Sequence, residues 1–237
     1  MVGGNSVIFS SNAQINSTQQ VVSEYSTDKW APDADHWIHT ARHEAGHAVA
    51  LVCMHREFGR DDDCFERILI RPGATGAYVT RQGRRSDCLG CVERGSELFS
   101  PRNADRGLRQ GKPLRSHDAG RSAAADLEIK IVAGLAGPLA EMCSWNETAD
   151  FHSQEYRWAC EDNKAEIQHI EDYIDELRAM SGRGTKRSFE QQSYHLLKRE
   201  WSAVMALADE LISRRILDYH EALAVIEPWL GQSAHRV

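Results

Sequence analysis

The pentapeptide HEAGH, residues 43–47, lies in the middle of the most regular stretch of the chain, DHWIHTARHEAGHAVALVCMHREFG, residues 35–59. Apolar residues recur at helical spacing between Trp37 and Phe58, and the glycine that follows is a typical stop signal. This pattern predicts a helix over 37–58. Because side chains four positions apart lie on one helical face, about 6 Å apart along the axis, such a helix brings His43 and His47 together.

Two histidines at this spacing, with a glutamate between them, are typical of a metal site. Catalytic zinc takes three protein ligands and leaves its fourth position to water. A carboxylate beside that water can accept its proton as the water attacks a carbonyl, while the metal polarises the carbonyl oxygen. The segment therefore predicts Zn²⁺ held by His43 and His47, with Glu44 as the general base of a hydrolase.

A plainer interpretation of the motif is a pair of ordinary helix histidines and a solvated glutamate, because a five-residue pattern can arise by accident. Gly46 favours the metal site. Glycine inside a helix costs about 1 kcal/mol, and such a residue usually has a reason, such as close packing under a site. We therefore expect the helix to pack tightly at this position.

The residues after this helix indicate a small β-sheet and a long insertion. The segment FERILI at 65–70 has the composition of a strand, and residues 77–80 are its expected hairpin partner across Gly76. From 81 to 121 the chain is rich in glycine and arginine without a sustained period, which predicts a mobile insertion. Its arginines are interpreted as a solvated loop rather than a nucleic-acid site.

The C-terminal half of the chain predicts helices throughout. Residues 123–143 are apolar on most faces, so this helix is expected to be buried, and it is interrupted or closely packed at Gly134, Gly137 and Pro138. Further helices are predicted over 162–180 and 189–217. A short helix begins at Asp218, where Glu221 completes a capping-box pattern. The predicted fold class is therefore mostly α with a small β-sheet.

The composition limits the partners and the location of the protein. The 237 residues carry a net charge of −7, so neither nucleic acid nor an anionic membrane is expected as a partner. No apolar run reaches the ~18 to 20 residues that cross a bilayer, and the first residues lack a signal pattern, which together favour a cytoplasmic protein. We expect a flexible arm (1–32), one domain (33–230) and a short tail (231–237).

The six cysteines are expected to be reduced, because they are scattered through a mid-sized chain rather than arranged as a disulfide framework. Cys88 and Cys91 have the CxxC spacing of a zinc knuckle. A second CxxC pair does not occur in the sequence, so free thiols in a loop are favoured over a structural metal.

Four stretches of the chain resemble the peptidase domain of the FtsH family of AAA+ zinc proteases (peptidase family M41). HEAGHA (43–48) and RILIRPG (67–73) follow each other in that family's order, and LAGPLAE (135–141) is similar to its Gly-Gly-Arg-x-Ala-Glu helix, with Pro138 in place of the usual basic residue. Residues 206–218 are similar to the closing helices of that family. The resemblance implies a zincin-like metallopeptidase fold, a Zn²⁺ cofactor and a polypeptide substrate.

The resemblance also implies a third zinc ligand, since the family uses an aspartate at the start of the helix that follows the Ala-Glu segment. Asp162, within Glu161-Asp162-Asn163, is the best match, although the family's Asn-Asp order is not reproduced. A plain helix N-cap is the other interpretation of Asp162. Glu141 is expected to orient a ligand histidine. The alternatives for the third ligand are Glu141, Asp150, Glu155 and Glu161.

Together these features predict a zinc-dependent endopeptidase that acts on unfolded or flexible protein segments. No GxxxxGK[ST] phosphate loop occurs in the sequence, so its hydrolysis is expected to be independent of ATP. The strand 67–71 is expected to bind substrate along an exposed edge, or else to be a plain structural strand. A homo-oligomer or a partner supplied in trans is compatible with this activity. The alternative function is a non-catalytic, zinc-stabilised interaction module that kept the fold and lost turnover.

Overall fold

A computed structural model describes residues 34–60, 62–71, 78–79, 85–86, 89–93, 117–145, 151 and 153–231. The predicted N-terminal arm, most of the predicted insertion and all but the first residue of the predicted tail lie outside these ranges. The described part is mostly helical with a small antiparallel sheet, in agreement with the predicted fold class. None of its helices is long and apolar enough to span a bilayer.

Helices make up most of the described chain, and the first of them is central. α1 is buried along most of its length and packs against both α2 and α6. Its HEAGH segment therefore lies inside the molecule rather than on a surface helix. The helices are α1 (Ala34–Glu57), α2 (His117–Trp145), α3 (Gln154–Asp162), α4 (Lys164–Ser181), α5 (Lys186–Arg199), α6 (Trp201–Arg214) and α7 (Tyr219–Ile226), followed by a 3₁₀ turn (Glu227–Trp229).

A three-stranded antiparallel sheet packs beside α1. The strands of the described residues are β1 (Arg67–Ile70), β2 (Tyr78–Val79), β3 (Arg85–Ser86), β4 (Gly90–Glu93) and β5 (Ile216–Asp218). β1 is the central strand, with β4 on one side and β5 on the other. Arg67 stands opposite both Glu93 and Asp218. Ile68 and Ile70 join the main core, so this face of β1 is turned toward the helices.

The predicted hairpin between residues 65–70 and 77–80 is wrong. Both edges of β1 are occupied by β4 and β5, and Tyr78–Val79 pairs with Arg85–Ser86 instead. For the same reason, β1 does not offer the exposed edge that was expected of it. β3 and β4 both lie within the predicted insertion. Local composition indicates a strand but not its partner, because the partner is decided by the packing of the whole fold.

The single helix predicted over 189–217 is two helices and a strand. Glu200 interrupts it with a non-helical backbone, and its buried carboxylate accepts hydrogen bonds from the Arg199 side chain and the Gly231 backbone N–H. α6 then ends at Arg214; the next residue, Arg215, has a left-handed φ of 70°, and β5 begins directly after it. These hydrogen bonds compensate the buried charge at the break, since an unpaired buried charge is costly.

Three predictions that depended on short-range signals are confirmed. The central helix is present as α1, and the buried helix predicted over 123–143 is present as the longer α2, which continues through Pro138. Asp218 caps α7: its carboxylate accepts the backbone N–H of Glu221, while the Glu221 carboxylate accepts the backbone N–H of Asp218. This is the reciprocal capping box that the sequence indicated.

Candidate metal centre

The candidate site lies where α1 packs against α2. A side-chain carbon added at Gly46 would lie 2.7 Å from the Ala136 carbonyl oxygen and 2.7 Å from Ala140 Cβ, nearer than such atoms approach in proteins. Glycine at this position therefore lets the two helices meet at close range, as the sequence predicted. The contact places the HEAGH turn against the small residues in the second half of α2.

Both histidines of the motif are buried, and α2 holds each ring from behind. His43 Nδ1 donates to Glu141 Oε1 at 2.7 Å, and His47 Nδ1 donates to the Ala133 carbonyl oxygen at 2.7 Å. A carbonyl oxygen can only accept, so Nδ1 of His47 carries a proton. In the neutral imidazoles this leaves a lone pair on each Nε2, which is the form that binds a metal ion.

The two Nε2 atoms face each other at a distance of 2.9 Å. Gly137 of α2 lies beside them. A Cβ at this position would be 2.8 Å from His43 Nε2 and closer still to His47 Nε2. The absence of a side chain at 137 therefore keeps the space next to both nitrogens free.

Glu166, in the first turn of α4, completes a group of three. Its carboxylate oxygens lie 3.4 Å from His43 Nε2 and 3.1 Å from His47 Nε2. One ligand atom from each of the three side chains lies within 4.8 Å of the others, a spacing that can hold a metal ion. The side chain of Glu166 is 34% exposed, so solvent reaches the group from this side.

The side chains of this group shift one another's pKa values. Burial alone would lower the pKa of His43, but hydrogen bonds with Glu141 and Glu166 outweigh it and hold that pKa well above its ordinary value. Burial would likewise raise the pKa of Glu166, but the charge of His47 and hydrogen bonds with both histidines hold it well below its usual range. Two carboxylates thus flank the imidazoles, and they make the position attractive to a cation.

Asp162, the predicted third ligand, is not part of this group. It is exposed and is the last residue of α3. The helix predicted over 162–180 begins at Lys164, two residues later than expected, so the carboxylate in its first turn belongs to Glu166. The structure therefore brings Glu166, and not Asp162, together with the two histidines.

The alternatives considered for the third ligand are placed as follows. Glu155 and Glu161 also lie outside the group, and Asp150 lies outside the described residues. Glu141 contacts His43 from behind, in the position expected of a residue that orients a ligand histidine. Cys91 belongs to no second group of potential metal ligands among the described residues, and Cys88 lies outside them.

One sequence signal could have identified Glu166. Asn163 is a favoured N-cap residue, and a glutamate three positions after an N-cap is part of a capping-box-like pattern. Asn-x-x-Glu at 163–166 would have placed the helix start at Asn163 and a carboxylate in the first turn. The expectation of an aspartate, taken from the family resemblance, favoured the neighbouring Asp162 instead.

Glu44, the predicted general base, is only 6% exposed and lies between α1 and the sheet. A Cβ added at Gly90 would be 2.6 Å from Glu44 Cγ and 2.6 Å from its Oε1. The Glu44 carboxylate therefore packs directly against the backbone of β4. This strand was not recognised in the sequence, because GCVE is too short to show a period.

Two histidines, one carboxylate and a glutamate beside them form the candidate centre. Comparison of the chain with models of known protein families and with curated proteins gives no match. Its chemistry must therefore be inferred from the arrangement of these four side chains.

Proposed function

We propose that this chain is a zinc-dependent endopeptidase, with His43, His47 and Glu166 as metal ligands and Glu44 as general base. The observation that carries the proposal is the group itself, in which two imidazole nitrogens and a carboxylate converge. A second carboxylate, that of Glu44, belongs to the residue next to His43 on α1. Gathering buried ionisable groups in this way costs folding free energy, and a function that uses them accounts for that cost.

The donor set suits zinc. Imidazole nitrogen and carboxylate oxygen are usual zinc ligands, and three protein ligands are typical of catalytic sites, whereas structural sites use four. The bonds from His43 to Glu141 and from His47 to Ala133 match the outer partners that orient metal-binding histidines. Zinc held there would supply a Lewis acid that polarises a peptide carbonyl and lowers the pKa of water.

In this proposal Glu44 moves the proton. Glu44 follows His43 directly on α1. The contact of its carboxylate with Gly90 limits the orientations that the carboxylate can adopt. In the proposed reaction it accepts a proton from the attacking water and delivers a proton to the leaving amine. Two other carboxylates contact the histidine pair, and neither is assigned this role: Glu166 is a proposed ligand, and Glu141 is occupied by its hydrogen bond to His43.

An extended polypeptide is the substrate that the sheet favours. In the described part of the sheet β4 is an outer strand, whereas β1 is enclosed. A peptide added to β4 through main-chain hydrogen bonds would pass Glu44, because Gly90 of that strand touches the carboxylate. We therefore move the proposed substrate edge from β1 to β4.

The proposed substrates are unfolded or flexible segments, cleaved by this chain without ATP. A folded domain holds its backbone with ~5 to 15 kcal/mol of stability, so extended segments are rarely exposed. The resemblance to FtsH-type peptidases supports the same substrate class. Two of its stretches, 43–48 and 135–141, meet in space, since Gly137 lies beside both histidines and Glu141 contacts His43.

The test measures zinc content and hydrolysis of an unfolded casein-type substrate by the wild type and by Glu44→Gln. We expect about one zinc per chain in both proteins. Hydrolysis should fall by about 10²- to 10⁴-fold in Glu44→Gln, because that is the usual contribution of a general base. Glu57→Gln is the matched control, since it removes the same charge from an exposed position of the same helix. Hydrolysis that survives Glu44→Gln but falls in the control would contradict the proposal.

A second candidate function is a non-catalytic, zinc-stabilised interaction module. The observation that favours it is the burial of Glu44 beneath β4, which limits access to the base. In this case zinc would raise the melting temperature, while the wild type would hydrolyse none of the unfolded substrates. The same set of measurements therefore distinguishes the two functions.

A further inference from the structure

Asn163 is the residue that joins α3 to α4. Its backbone N–H donates to the Ala159 and Glu161 carbonyl oxygens at the end of α3, and it occupies the N-cap position of α4. Asparagine is favoured there because its side-chain oxygen accepts a hydrogen bond from an early helical N–H. With the described residues of α4, the Asn163 side chain makes no such bond. The usual structural reason for asparagine at an N-cap therefore does not apply here.

The side-chain amide of Asn163 points toward the metal centre instead. Its Nδ2 donates to the Ala159 carbonyl oxygen at 2.8 Å and to Glu141 Oε2 at 3.3 Å. The other oxygen of the same carboxylate, Oε1, accepts from His43 Nδ1 at 2.7 Å. The three side chains thus form a continuous hydrogen-bonded series that ends at the imidazole facing Glu166.

The same asparagine also precedes the helical turn that carries Glu166. Glu166 lies three residues after Asn163, in the first turn of α4. The bond to Ala159 fixes the junction between the two helices, and the bond to Glu141 ties this junction to α2. A residue that breaks a local preference in favour of a site is typical of functional positions.

We propose that Asn163 is a positioning residue of the metal centre, which orients His43 through Glu141; this inference rests on the function proposed above. An amide suits this role because it donates to one carboxylate oxygen and leaves the other free to accept from His43. Aspartate is an equally good N-cap, but it would face Glu141 with a like charge and no proton to donate. Asn163→Asp therefore separates a capping role from a positioning role.

The first measurement is the dissociation constant for Zn²⁺, by competition with a chelator, on the full chain. We expect about 10-fold weaker binding in Asn163→Asp and Asn163→Ser, the lower end of the range for outer partners of a metal site. Glu161→Gln, an exposed neighbour, is the control and should bind like the wild type. Melting temperatures of the zinc-free proteins establish that each variant is folded. Wild-type affinity in Asn163→Asp would overturn the inference.

The second measurement asks whether Asn163 acts through Glu141. Asn163→Ser is combined with Glu141→Gln, and the zinc affinities of the single and double variants are compared. If Glu141 transmits the effect, Asn163→Ser weakens zinc binding in the wild type but not in the Glu141→Gln protein. Equal losses in both backgrounds would show a general structural role and would overturn the inference.

The third measurement needs no metal and separates this inference from the proposed function. In the zinc-free protein, the NMR resonance of the His43 Nδ1 proton should shift in Asn163→Ser and stay unchanged in Glu161→Gln. If the wild type binds no zinc but the resonance still shifts in Asn163→Ser, the proposed function is refuted and the positioning of His43 is retained. Zinc binding by the wild type with an unchanged resonance in Asn163→Ser would refute the positioning alone.

Discussion

The two sides of the candidate metal centre are held in different ways. On the α1–α2 side, both histidines are buried and each Nδ1 is fixed by a partner on α2, while Gly46 and Gly137 allow the helices to meet closely. On the α3–α4 side, Glu166 is one-third exposed and comes from the first turn of a helix. The first side is fixed by packing and the second by the position of a helix start.

This difference predicts how each side responds to substitution. A tightly packed contact cannot absorb even one added carbon without displacing a neighbour. The partly exposed Glu166 carboxylate can move, so its loss should remove a proposed ligand but leave the packing intact. An added side-chain atom on the α1–α2 side should therefore displace the histidines and abolish metal binding. Loss of the carboxylate on the α3–α4 side should weaken metal binding without moving the histidines.

The largest effect is expected from Gly137→Ala. Its Cβ would lie closer to both Nε2 atoms than carbon and nitrogen approach, so at least one imidazole must leave its position. Alanine also favours a helix over glycine by about 1 kcal/mol, so the fold should survive the change. We expect zinc affinity to fall by more than about 100-fold, beyond the range of outer-partner substitutions, as measured by chelator competition.

Gly134→Ala is the control for this prediction. It makes the same change one turn earlier in α2, where the added carbon would meet the Ile170 side chain at 2.9 Å rather than the histidines. A loss of zinc affinity as large as that of Gly137→Ala would show that any crowding of α2 disrupts the centre. The loss of affinity in Gly137→Ala could then not be attributed to the position of Gly137 beside the two nitrogens.

The next largest effect is expected from Glu166→Gln, compared with Asp162→Asn. If Glu166 is a metal ligand, as proposed, removing its charge should lower zinc affinity by about 100-fold, the upper end of the range for outer partners or beyond it. Asp162→Asn alters an exposed carboxylate at the end of α3 and should have little effect. The measurement is again chelator competition. The opposite ranking would return the third ligand to Asp162.

The α1–α2 side of the centre was predictable from the sequence, because it depends on short intervals. His43 and His47 share a helical face wherever residues 37–58 form a helix, and a glycine between them indicates close packing. The α3–α4 side was not predictable in the same way. The choice between Asp162 and Glu166 depends on a two-residue shift of a helix start, which is within the usual uncertainty of helix ends.

The sheet could be predicted only in part, for a related reason. The composition of residues 65–70 identified a strand, but its neighbours, β4 and β5, come from residues 90–93 and 216–218. Both partners are three or four residues long, too short for a recognisable alternation. The contact between Gly90 and Glu44 follows from this pairing, so it could not be anticipated either.

A smaller effect is expected from Gly90→Ala, which tests how β4 holds the base. The added carbon would displace the Glu44 carboxylate, whose Oε1 lies 2.6 Å from that position, while the proposed metal ligands on α1 and α4 are left in place. Misplacing a catalytic group by a small distance should reduce hydrolysis by about 10- to 100-fold. Zinc affinity should be retained. A parallel loss of zinc would mean that β4 supports the metal site rather than the base.

The smallest effect is expected from Tyr156→Phe, which tests whether the attachment of α3 influences the centre. The Tyr156 hydroxyl donates to the buried Glu190 carboxylate of α5 at 2.6 Å, and its loss should lower the free energy of unfolding by about 1 to 3 kcal/mol. Zinc affinity should change little, since the Tyr156 hydroxyl is hydrogen-bonded to Glu190 and not to a proposed ligand. If affinity falls together with stability, the position of α3 helps to set that of Glu166.

The pH dependence of the same variant provides an independent check of this contact. Burial and the hydrogen bond to Glu190 hold the pKa of Tyr156 well above its ordinary value. An unfolded tyrosine releases its proton near pH 10, so above that pH the unfolded state binds fewer protons than the folded state. The stability that Tyr156 contributes is therefore complete below about pH 10 and declines as the pH rises further. Phenylalanine has no such proton, so urea unfolding should show the wild type and Tyr156→Phe converging above pH 10. A difference that stays constant there would mean that the hydroxyl does not hold the buried contact with Glu190.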